Sequence, residues 1–159
     1  MINFGFNLTK LKNMYNGILH AHSGLRWLVL TFLLLAIIKS FAGWFGKKDF
    51  NKSDNLVAIL LISFTHLQLV VGALMYFISP KVISIGDAMK DSVLRFWAME
   101  HGVTMLIAIV LITVGRVKSK KSENSIDKFK KGAIFYTIAF VLILWAGLIK
   151  PTLLGSGMF

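Results

Sequence analysis

The chain has 159 residues, 56% of them hydrophobic and only 16% charged, with no cysteine. Its mean hydropathy of +0.71 lies far above the balance of a soluble domain and reads as an integral membrane protein. The lack of cysteine excludes disulfides, thiolate metal sites, iron–sulfur clusters and covalent c-type haem attachment, so any metal must use imidazole, carboxylate or thioether.

Residues 1–13 differ in character from the rest of the chain, and Met14 is a potential start, so they read as an N-terminal extension of uncertain structure ahead of a single transmembrane domain, 14–159. The first apolar run, 15–45, outlasts a signal-peptide core and has no small-residue cleavage site, which marks it as a retained span. Runs at 56–79, 94–117 and 132–149 are also long enough to cross about 30 Å of hydrocarbon at about 1.5 Å per residue. Pro80 is expected to end the second span and Pro151 the fourth, while 85–95 reads as a helix start with Asp87 as its N-cap or first-turn acid. The short polar links 46–55 and 118–131 predict an all-α, up-down-up-down antiparallel four-helix bundle.

A net charge of +11 would suit nucleic acid if it were spread over one surface, but it is not. Lys39, Lys47, Lys48 and Lys52 flank the first link, and Arg116, Lys118, Lys120, Lys121, Lys128, Lys130 and Lys131 crowd the third. The other side carries Lys81, Lys90, Arg95 and Lys150, with Lys10 and Lys12 in the leading segment. Eleven cations against six follows the positive-inside rule, which puts both termini outside and assigns the basic loops to anionic lipids rather than to nucleic acid.

Ionisable groups within a span are costly and therefore informative. They are His20, His22 and Arg26 in the first span, His66 in the second, and Glu100 and His101 in the third. Counting from the span ends puts His66 near mid-membrane, His101 about 5 Å outward of the centre, and His22 closer to the outer surface. His22 shares a helix face with Arg26 and is expected to point inward, with His20 on the opposite side. In the second span Ser63, His66, Val70 and Ala73 form the expected inward stripe, flanked by Thr65, Gln68 and Gly72. In the third, Trp97, His101, Thr104, Met105 and Ala108 share a side, with Glu100 next to it.

Neutral imidazoles on facing apolar helices suit a b-type haem, whose iron takes axial histidines and whose propionates need a cation. Depth matching selects His66 and His101 as the iron ligands and His22 as the reserve ligand. Arg26 is then the propionate partner, and Thr65, Gln68 and Glu100 orient the rings. The same histidines also suit hydrogen bonds to neighbouring helices or a proton relay, and Arg26 also suits snorkelling to the headgroups. Glu100 is expected to pair with Arg26 or Lys90, and Trp27, Trp44, Trp97 and Tyr76 read as interfacial belt residues.

HAHSGLRW (His20–Trp27), THLQLVVGALMYFISP (Thr65–Pro80), DSVLRFWAMEH (Asp91–His101) and the basic third link resemble a family of small bacterial four-span membrane proteins labelled cytochrome b-like. More distantly, the unit is similar to one half of the haem A synthase fold or to a minimal cytochrome b561-type bundle. The resemblance implies one haem b held by histidines from different helices in the bacterial cytoplasmic membrane. It also implies electron relay, alone or as an accessory subunit or homodimer within a respiratory assembly, rather than an independent enzyme. The chain departs from the two-haem b561 pattern, since it has no histidine in the inner half. A cofactor-free assembly subunit and a small proton or solute transporter are the alternative expectations.

Overall fold

The computed structural model describes residues 4–78 and 85–155, and all regular structure within them is helical. The elements are α1 (Phe4–Phe45), α2 (Lys52–Ile78), the single turn α3 (Ile85–Ala88), α4 (Ser92–Lys120) and α5 (Ser125–Leu153). The four long helices are each apolar enough to cross a bilayer, which makes the chain a multi-pass membrane protein. Residues 4–13 continue the first helix with no break at 13/14. The expected stop at Pro80 lies outside the described residues.

Local chemistry sets the helix ends. The chain turns after α1 through Gly46 and Lys47, the latter at φ 48°. α2 starts on a reciprocal cap. Asn51 Oδ1 accepts the Ser53 and Asp54 N–H at 2.8 and 3.2 Å, and Asp54 Oδ2 accepts the Asn51 N–H at 3.0 Å. Asp87 is a first-turn acid, but of α3; the cap of α4 is Asp91, which accepts the Val93 and Leu94 N–H at 2.8 Å. Asn124 caps α5 through the Asp127 N–H at 2.8 Å.

The helices pack in a ring: α1 against α2 and α5, and α4 against α5 and α2. The core is narrow, built from Leu33, Ala36, Leu61, Ala108, Ile112, Tyr136, Ala139 and Ile143. Small residues let the backbones approach closely. A Cβ on Gly43 of α1 would sit 2.4 Å from the Phe129 ring of α5, and one on Gly132 would sit 2.8 Å from Ser40 Oγ. Leu34, Ile38, Val70, Leu74, Val110 and Val141 point outward, giving the apolar girdle that acyl chains cover.

Polar contacts gather at two levels. At the end carrying the basic links, Lys39 Nζ meets Asp54 Oδ1 at 2.9 Å, Arg116 Nη2 donates to Asn55 Oδ1 at 2.6 Å, and Ser119 Oγ donates to the Lys128 carbonyl at 2.9 Å. The other level holds His22, Gln68, His101 and Ala146.

Candidate functional site

His101 is positioned by two irregular turns and a proline. The helix winds as a π turn over Phe96–Glu100 in α4 and over Trp145–Ile149 in α5. Such turns bond residue i to i+5 and collect at functional sites. In α5 the Lys150 N–H reaches back to the Trp145 carbonyl, so it does not serve Ala146. The next donor along would be residue 151, which is proline and has no N–H. The Ala146 carbonyl is thereby left without a partner on its own helix, and His101 Nδ1 donates to it at 3.1 Å. The fourth span does not close at Pro151, contrary to expectation; the helix absorbs the proline and runs on to Leu153.

Because a carbonyl only accepts, the His101 proton lies on Nδ1 and Nε2 carries the lone pair. This is the tautomer in which histidines bind metals, with the second nitrogen held by a carbonyl. The ring packs on Trp97 at 5.3 Å and Phe96 at 5.8 Å between centroids, and Phe96 is fully buried. Trp97, expected in the interfacial belt, belongs to this wall.

His22 lies on α1, four residues before Arg26 and on the same side of the helix. Its ring lies against Gly72, where a Cβ would come within 3.1 Å of Cε1. The Gln68 amide donates to the His22 carbonyl at 3.0 Å and sits 3.3 Å from His22 Nε2. Among the described residues, His22 Nδ1, Gln68 Oε1 and Thr65 Oγ1 are buried without a hydrogen-bond partner. The Arg26 guanidinium lies 5.5 Å over the Trp27 ring. His20 is exposed.

His66 is engaged elsewhere. Its Nε2 bonds Thr113 Oγ1 at 3.1 Å, and since that hydroxyl donates to the Ile109 carbonyl, His66 is the donor. Thr113 lies twelve residues beyond His101, about 18 Å along α4, so the two rings cannot clasp one iron. The expected inward stripe is in fact the outward one: Ser63, His66, Val70 and Ala73 are all exposed. α2 buries Asp54, Ala58, Leu61 and Thr65, a face that Gln68 and Gly72 continue. The expected His66–His101 pair is therefore not brought together: His66 is held by Thr113 and His101 by Ala146, while His22, the expected reserve ligand, packs on α2 through Gln68 and Gly72.

Glu100 also has different partners from those expected. Arg95 Nε meets Oε1 at 2.8 Å and Lys150 Nζ meets Oε2, in place of Arg26 or Lys90. The π turn explains the first contact, because it stacks residues five apart. No group of three or more histidine, cysteine or acidic side chains forms a metal cage among the described residues, which a two-histidine haem site does not require. No family model, curated protein or solved structure matches the chain.

Proposed function

We propose that the chain is a b-type cytochrome-like electron relay that binds one haem between α1 and α4. In this reading the bundle runs up-down-up-down with both termini outside the bacterial cytoplasmic membrane. Contact order supports the topology: from Lys39 to His22 along α1 the partners climb from Asp54 to Gln68. From His101 to Ser119 along α4 they fall from Ala146 to Lys128. The cation excess at the opposite end supports the orientation.

The observation that carries the haem reading is the hydrogen bond from His101 Nδ1 to the Ala146 carbonyl, which fixes the ring and leaves Nε2 as the nitrogen for an iron. His101 fits an iron outright. His22 fits as the second ligand, with its buried Nδ1 free of hydrogen bonds and its Nε2 available once Gln68 turns away. Arg26 would pair a propionate. When bound, the haem supplies one-electron redox chemistry. The protein orients the imidazoles, provides the aromatic wall and keeps the site apolar.

A cofactor-free subunit is the second reading, favoured by the Gln68 and Ala146 contacts that already give each ring a partner. Purification followed by haemin titration separates the two. A Soret band with a sharp reduced α band at one equivalent is expected; protein that stays colourless after saturating haemin would leave the subunit reading.

A further inference from the structure

We propose that the basic end holds a second, separate site: a groove that binds the phosphate of an anionic phospholipid. The groove has a volume of about 320 Å³ and lies between the first link, α2, α4 and the start of α5. Lys52, Arg116, Lys120 and Lys128 line it together with Asn55 and Phe50, and no carboxylate among the described residues does.

Arg116 is the anchor. It is only 8% exposed, yet its one hydrogen bond among the described residues goes to a neutral amide, Asn55 Oδ1. A buried guanidinium compensated only by a carbonyl dipole is short of negative charge. The nearest acid in sequence to Asn55, Asp54, is already engaged by Lys39 and by the Asn51 N–H, and lies outside the groove. The planar fork of Arg116 retains donors of the geometry that phosphate oxygens accept in pairs.

The rest of the groove is fixed in place. The Phe50 N–H donates to Ser125 Oγ at 3.0 Å, its ring packs on Phe129 at 5.1 Å, and Lys128 Nζ lies 5.7 Å over that ring. A lipid rather than a soluble phosphate is the occupant because of depth and flanks. Arg116 sits four residues inside the end of α4, about 6 Å, at the level where headgroup meets hydrocarbon. Val117, next to it in the chain, and Leu56, next to its partner Asn55, are exposed apolar side chains over which acyl chains can lie.

The test is native mass spectrometry of the full chain in detergent, titrated with phosphatidylglycerol, with phosphatidylcholine and with inorganic phosphate. Phosphatidylglycerol is expected to be retained over phosphatidylcholine, and Arg116→Gln and Lys120→Gln each to lower that retention about fivefold. Arg116→Lys should recover part of it. A Lys47→Gln/Lys48→Gln double variant, at the same end but outside the groove, should bind as the parent does. Should Arg116→Gln fail to fold, Lys120→Gln decides. Displacement of the lipid by millimolar inorganic phosphate would show that the groove takes the phosphate group from either source, and resistance would show a lipid site alone; both support the groove. Equal retention of the two lipids, or loss as large in the Lys47/Lys48 variant as in Arg116→Gln, would overturn it.

Discussion

The two ends of the bundle treat buried polar groups in opposite ways. At the basic end the buried polar groups have partners inside the protein: Asp54 has Lys39 and the Asn51 N–H, Ser119 has the Lys128 carbonyl, and Arg116 has the Asn55 amide oxygen, with its excess charge facing a rim groove. At the histidine end the surplus is inside, where His22 Nδ1, Gln68 Oε1 and Thr65 Oγ1 are buried without partners. Unmatched charge at a rim calls for a ligand from the membrane surface. Unmatched donors and acceptors between helices call for a guest within the bundle. On the proposed reading, one end serves stability and lipid contact, and the other gives up internal satisfaction for a guest.

Substitutions should separate the two ends. Asp54→Ala removes the Lys39 partner and the Asp54 half of the reciprocal α2 cap, and should destabilise the protein by about 3 kcal/mol in detergent unfolding while leaving haem affinity unchanged. A matched fall in haem binding would show that the ends are coupled. Pro151→Ala should do the reverse. Restoring the N–H lets α5 wind regularly and recapture the Ala146 carbonyl, so His101 loses its orienting acceptor and haem affinity falls about 10- to 100-fold without loss of stability.

Gly43→Ala pushes a methyl into the buried Phe129 ring and should cost about 2 kcal/mol, again at the basic end and again without effect on haem titration. Glu100→Gln has the smallest effect. It weakens two partly exposed ion pairs at the rim of the histidine end, for a change of at most about 1 kcal/mol in chemical denaturation.

The four spans are legible in the sequence because bilayer crossing imposes length and apolarity on every helix. Faces are less legible. In a membrane the outward side is as apolar as the core, so α2 gives no amphipathic signal to separate the His66 side from the Thr65 side. The spacing of Ala58, Leu61, Thr65 and Gly72 is the available cue, since small residues mark close helix contact. The π turns are hidden as well. Each inserts one residue into the helical period, which moves Glu100 onto Arg95; Pro151 is the one sequence mark of the turn that bares Ala146.

Reduced-minus-oxidised absorption spectra of the parent, His66→Ala and His101→Ala proteins, each titrated with haemin in the same detergent, bear most directly on the convergence of histidines from α1 and α4. Ligation by His22 and His101 requires a six-coordinate b-type spectrum in the parent, the same spectrum in His66→Ala, and none in His101→Ala. Loss of the spectrum in His66→Ala together with its survival in His101→Ala would refute that ligation.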